Sequence, residues 1–160
     1  METENSSNTY HLEPGSIYVS TTGDVIRSVV GSYIVVCTWD GVKRIGGALC
    51  FLYPKVGNRE KRTASYGDVA IPHLINLMEK SGASRERMVA QIFGGGSRTK
   101  ELFSLPKKSL KLARKLLSKN GIEVVSEDVG GSMGRKILFD TASGHAAVLK
   151  VHDTREDDWF

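Results

Sequence analysis

Asp24-Val25-Ile26-Arg27-Ser28-Val29-Val30-Gly31-Ser32-Tyr33-Ile34-Val35-Val36-Cys37-Thr38-Trp39-Asp40, then Gly41, then Gly46-Gly47-Ala48-Leu49-Cys50-Phe51-Leu52-Tyr53, places two long apolar runs on either side of a turn. Both runs are rich in β-branched and aromatic residues, which suit a pleated, half-buried surface, and Asp40-Gly41 is a strong turn signal between them. They are read as two long strands, Asp24 to Asp40 and Gly46 to Tyr53, joined as a hairpin. A hairpin centred between Gly41 and Val42 sets Tyr33 across from Cys50 with both side chains on one face. Cys37 shares that face, but higher up the strand and out of disulfide reach of Cys50.

Outward from the hairpin, Ile17-Tyr18-Val19-Ser20 is a further strand. Lys55 to Ser65 is a polar, basic loop, after which Asp68 is placed as the N-cap of a helix with the apolar stripe Ile71, Leu74, Ile75 and Met78. Ser81-Gly82 ends that helix. Met88 to Phe93 is a strand, followed by a flexible loop at Gly94-Gly95-Gly96-Ser97. Lys107 to Lys119 is the second helix, with Leu110, Ala113, Leu116 and Leu117 inward and Gly121 as its stop. Ile122 to Ser126, Lys136 to Phe139 and Ala146 to Val151 are strands, with a loop at Gly130-Gly131-Ser132-Met133-Gly134. Strands and helices mix without a strict βαβ repeat. The expected architecture is therefore α+β, three layers of α/β/β type, with mixed, mostly antiparallel strands and two principal helices.

The chain has 160 residues, 40% hydrophobic and 25% charged, enough for one domain with its own core. Polar residues 1–13 are read as a flexible arm, 14–152 as a single domain, and 153–160 as an acidic tail closing on Trp159-Phe160. No run of about 18 apolar residues is present for a membrane span, and the N-terminus lacks the basic start and apolar stretch of a signal peptide. The expected location is the cytoplasm. Two cysteines fit a reducing compartment better than a disulfide scaffold. No CxxC or HxxxH spacing suggests zinc, and no metal or cofactor is expected. The net charge of +4 tilts the surface only weakly toward acidic partners.

Glu127-Asp128-Val129-Gly130-Gly131-Ser132-Met133-Gly134-Arg135-Lys136-Ile137-Leu138-Phe139-Asp140 resembles the EDxGGxxGRKxxFD stretch of the CheD family of chemoreceptor glutamine deamidases. Tyr66-Gly67-Asp68-Val69-Ala70, Gly82-Ala83 before Val89-Ala90-Gln91-Ile92-Phe93-Gly94-Gly95, and Ile45-Gly46-Gly47 leading to Pro54 agree in order and spacing. The resemblance runs from about Pro14 to His152. It implies a protein that meets methyl-accepting chemotaxis receptors, hydrolyses selected glutamine amides on them, and docks a CheC phosphatase over the same face. It also implies a cysteine nucleophile in Leu-Gly-Ser-Cys-Val, a histidine base in Gly-Gly-x-x-His, and an assisting threonine.

Here the first motif reads Val30-Gly31-Ser32-Tyr33-Ile34 and the second Gly46-Gly47-Ala48-Leu49-Cys50, and the ungapped threonine position falls on Arg27. No catalytic residue of the family pattern is intact. A phenol near pKa 10 without a histidine beside it is a poor nucleophile, and removing the nucleophile of a serine hydrolase costs about 10⁶ in turnover. Cys50 as a rebuilt nucleophile needs a histidine within about 3 Å. The histidines, His11, His73, His145 and His152, all lie off the hairpin.

The expected function is thus a degenerate, non-catalytic CheD-like protein that binds chemoreceptors, a CheC-type phosphatase or a response regulator. Tyr33, Phe93, Gly94, Gly95, Gly130 and Gly131 are the expected partner-binding positions, with Tyr33 and Phe93 as aromatic anchors. The alternative is an active chemoreceptor glutamine deamidase built on Cys50 or Cys37. Lys107, Lys108, Lys111, Arg114, Lys115 and Lys119 form a basic helix face, for which a solvated surface is the plain account. Nucleic-acid binding through it ranks last, because no interleaved aromatic residues support it.

Overall fold

The computed structural model describes residues 8–57, 61–99 and 104–152. The tail at 153–160, with Trp159-Phe160, lies outside the described residues, as do 1–7 of the expected arm. In chain order the elements are β1 (Thr9–His11), β2 (Ile17–Ser20), β3 (Val25–Val30), β4 (Ile34–Asp40), β5 (Ile45–Phe51), α1 (Gly67–Lys80), β6 (Met88–Gly94), α2 (Ser104–Lys119), β7 (Glu123–Val129), β8 (Gly134–Asp140) and β9 (Ala146–Val151). They form a four-stranded sheet, β1-β3-β8-β9, and a five-stranded sheet, β2-β5-β4-β6-β7. Only β1/β3 and β6/β7 pair in parallel; the other pairings are antiparallel.

The alternation of β4 explains the layers. Ile34 and Val36 join Leu49, Phe51, Ala90 and Ile92 in a core shared with Ile71, Leu74 and Met78 of α1 and Ala113 and Leu117 of α2. Val35 and Cys37 point the other way, joining Ala48, Cys50 and Phe93 against Ile26, Ile137 and Phe139 of the four-stranded sheet. The central sheet is therefore covered on both faces, which is why β4 and β5 read as near-continuous apolar runs. The expected three-layer α/β/β arrangement is what the chain adopts.

Gly46 and Gly47 let both covering layers approach closely. A Cβ at Gly46 would lie 2.8 Å from Thr141 Cβ, and one at Gly47 would lie 2.9 Å from Leu74 Cδ1 and 3.1 Å from Met78 Sδ. Neighbouring positions on one strand thus meet opposite layers, and neither has room for a side chain. Tyr10 of β1 stacks on Tyr18 of β2 with centroids 3.7 Å apart and planes 6° apart, clipping the two sheets together at their edges.

Several expectations are corrected. The strand expected over Asp24 to Asp40 is broken at Gly31-Ser32-Tyr33, and its halves lie in different sheets. Residues expected to belong to the arm are ordered: β1 pairs with β3, and Leu12 is buried. The hairpin turn is the four-residue segment Gly41 to Arg44, with Arg44 at φ 54, so Cys50 opposes Val35 and not Tyr33. The buried Asp40 carboxylate sets this loop by accepting from the N–H groups of Val42 and Lys43 at 3.0 and 3.2 Å. Asp68 does not cap α1. Tyr66 occupies the cap position, while Asp68 sits in the first turn and accepts from Val56 N–H at 3.2 Å. That placement still sets a carboxylate at the positive end of the helix.

No helix among the described residues is long and apolar enough to cross a membrane.

Candidate functional site

The break between β3 and β4 creates the site. As the chain leaves one sheet for the other, its carbonyls are taken up by the glycine loop that follows β6: Gly95 N–H donates to Tyr33 O at 3.0 Å and Gly96 N–H to Gly31 O at 3.0 Å. The loop between β7 and β8 closes the other side, with Gly130 N–H donating to Gly94 O at 2.9 Å and Ser97 N–H to Gly131 O at 2.9 Å. The expected flexible loop is therefore strapped along its backbone. Gly94 has φ +103, and a Cβ there would collide with the carbonyl oxygen of Tyr33. Its glycine serves close approach rather than mobility.

Arg135 locks these loops from beneath. Its side chain is 2% exposed and donates through Nη2 to Gly130 O at 2.9 Å and Asp128 Oδ1 at 3.1 Å. Through Nη1 it reaches Met133 O at 3.3 Å and Gly94 O at 3.4 Å. A guanidinium presents donors in a fixed fork, so one buried side chain ties together backbone carbonyls from both loops. The sequence motif containing Arg135 thus has a mechanical meaning that its spacing alone does not reveal.

Between the strapped loops lies a cleft of about 210 Å³, lined among others by Ser32, Ser97, Arg98, Ser132 and His152. These residues were not among the expected site positions. They come from distant points of the chain, and no local pattern marks them as neighbours. Tyr33 stands beside this region, half-buried against the inter-sheet core that contains Cys50.

The structure brings Tyr33, Cys50, Gly94, Gly95, Gly130 and Gly131 into one region, although Tyr33 and Cys50 are diagonal rather than directly opposed. Phe93 is 2% exposed, since its alternation on β6 turns it inward onto Val35 and Cys50. It is a core residue and presents no surface to a partner. Arg27 does not join the group. It lines a groove with Lys136, Leu138 and Leu149 on the outer face of the four-stranded sheet, while Ile26 and Val30 face inward.

The electrostatics suit packing more than nucleophilic chemistry. Cys50 has no exposed surface, and burial pushes its thiol up to about 12, against a smaller lowering by the N–H of Gly15. Burial likewise raises the Cys37 thiol strongly. Burial, then the neighbouring Cys50 and Tyr53, raises the Tyr33 phenol, so it stays neutral at physiological pH. The four histidines are exposed. Among the described residues no group of three or more His, Cys, Asp or Glu side chains is placed to hold a metal ion.

An α+β fold with a glycine-strapped cleft, locked by the arginine of a Gly-Arg-Lys motif, defines a class of protein, and comparison with known proteins identifies which. Residues 52–150 match the family model described as CheD chemotactic sensory transduction. The chain is 32% identical over 148 residues to "Probable chemoreceptor glutamine deamidase CheD" of Sulfurimonas denitrificans, covering 90% of this chain and 95% of that relative. It is 38% identical over 144 residues to "Probable chemoreceptor glutamine deamidase CheD 1" of Anaeromyxobacter dehalogenans, covering 88% and 84%. Among solved structures, a Neisseria meningitidis protein of family-model DUF152 superposes with a TM-score of 0.43 and 16% identity, over 72% of this chain and 52% of that one. The chain belongs to the CheD family of chemotaxis proteins.

Proposed function

We propose that this CheD-family chain is a non-catalytic chemotaxis module that binds chemoreceptors, or a CheC-type phosphatase or response regulator, and acts by occupancy. The observation that carries this reading is the state of the nucleophile and base positions. Tyr33 presents a neutral phenol beside a Cys50 thiol that is fully buried and protonated. Acyl transfer needs a nucleophile partly ionised near neutral pH and a base in contact with it. Burial denies Cys50 the first, and a position on an inward-facing strand denies it the second.

The rigid cleft supports binding. Loops strapped at four backbone hydrogen bonds and by Arg135 offer a preformed surface, which lowers the ordering cost of association. A pull-down of chemoreceptor cytoplasmic fragments tests this. The wild-type chain is expected to retain them, and Tyr33→Ala to weaken retention; equal retention by the two argues against this cleft as the interface.

The second reading is an active receptor glutamine deamidase that uses Cys50 or Cys37 with a relocated base, as the names of the relatives suggest. It requires the inter-sheet core to open far enough to expose a thiol. Cys50→Ala would then abolish amide hydrolysis.

A further inference from the structure

A second concave surface lies on the helical layer and shares no lining residue with the cleft. It is a groove of about 340 Å³ between the chain leaving β5 and the outer face of α2, lined by Pro54, Lys55, Lys108, Lys111, Leu112 and Lys115. Its floor is apolar, and among the described residues its rim carries four ammonium groups and no carboxylate.

We propose that this groove is a docking site for an acidic amphipathic helix of a partner protein. Lys108, Lys111 and Lys115 recur at helical spacing beside Leu112, forming a cationic stripe about 10 Å long over two turns, the repeat on which a second helix laid alongside would present its own side chains. Lys55 stands on the opposite bank, so a helix in the groove would meet positive charge on both flanks and apolar surface beneath.

The charge is placed against local stability. The first turn of α2 has no acidic residue, and Lys107 and Lys108 sit close to the positive end of the helix dipole, where cations are disfavoured. The lysines also repel one another across the groove. Arg114, on the same helix, shows the contrast: it is paired with Glu127 at 2.6 Å, so its charge is answered within the chain. Among the described residues no lining carboxylate answers the groove lysines, and an acidic partner removes that repulsion on binding. Nucleic acid fits less well, because among the described residues the lining supplies no aromatic ring for base stacking.

The test uses the full chain and a fluorescent 16-residue peptide of Glu and Leu in amphipathic helical order, followed by anisotropy. A scrambled peptide of the same composition, duplex DNA, and the variants Lys108→Ala/Lys111→Ala/Lys115→Ala and Arg114→Ala complete the set. Alanine favours helix, and circular dichroism confirms that the variants fold. The proposal expects salt-sensitive binding of the amphipathic peptide, with the scrambled peptide and the triple variant each about tenfold weaker and Arg114→Ala little changed. Absent binding, equal binding of the scrambled peptide, tighter binding of DNA, or an unaffected triple variant would each overturn it. None of these outcomes depends on what the cleft binds.

Discussion

Arg135 and Asp128 form an ion pair at 3.1 Å in which the guanidinium is 2% exposed and the carboxylate 32% exposed, so the charge is anchored inside the protein and answered near its surface. Lys150 reaches the same carboxylate oxygen at 3.4 Å. Arg135→Ala would take this donor from the carbonyls of Gly130 and Met133 together, while Gly94 O would keep only the N–H of Gly130, and the loops that frame the cleft would lose their common tie. The Asp128 carboxylate is one-third exposed and keeps Lys150, so the loss comes from buried carbonyls deprived of their donor, about 1–3 kcal/mol in urea unfolding. Arg135→Lys keeps the charge without the fork and should recover only part of it.

Gly94→Ala should be disproportionately costly for a single methyl group. The new Cβ enters the space of Tyr33 O at a backbone angle that alanine rarely adopts. A loss of about 1–3 kcal/mol is expected from the strain alone. Hydrogen exchange should show Gly95 and Gly96 amides losing protection, because their acceptors are Tyr33 and Gly31.

Asp40 makes stability pH-dependent. Burial by itself would raise its carboxyl, but the hydrogen bond from Arg87 and those from the N–H groups of Ser84, Lys43 and Val42 outweigh it and hold the group at about 2. A carboxyl held below its unfolded value of about 3.9 stabilises the fold above that pH, and the contribution is lost as pH falls through about 2. The stake is about 2 kcal/mol. Unfolding midpoints measured between pH 5 and pH 2 should fall steeply in wild type and less steeply in Asp40→Asn, which starts from a lower value at neutral pH.

Both thiols should be slow toward iodoacetamide near neutral pH, since Cys37 and Cys50 are buried and their thiols raised. Labelling should become rapid only in denaturant. Fast modification of Cys50 in the native protein would mean that the inter-sheet core opens.

The layers were legible because two periods are written in the chain: the stripe Ile71, Leu74, Ile75 and Met78 of α1, and the alternation of β4 and β5. The break at Gly31-Ser32-Tyr33 was not, because β-rich residues continue on both sides and only tertiary pairing distinguishes one strand from two. The register slipped because Asp40-Gly41 suggests a tight turn, whereas Asp40 folds back to bind Val42 and Lys43 and lengthens it. The shared face of Tyr33 and Cys50 survived, since a shift of two residues preserves alternation. Phe93 was misplaced as a surface anchor because an aromatic beside a glycine loop looks the same in sequence whether it points in or out. Arg135 stood within a quoted motif, yet its acceptors come from loops that only the fold assembles.

On the proposed reading, this chain keeps the family's fold without its hydrolysis. The most direct test incubates the purified protein with glutamine-bearing chemoreceptor cytoplasmic fragments and follows the amide-to-acid mass shift by peptide mass spectrometry, beside a relative that keeps the cysteine and histidine. No shift with this protein, while that control converts the same fragments, is the predicted result. A shift that disappears in Cys50→Ala would contradict it and show that catalysis was rebuilt on the buried thiol.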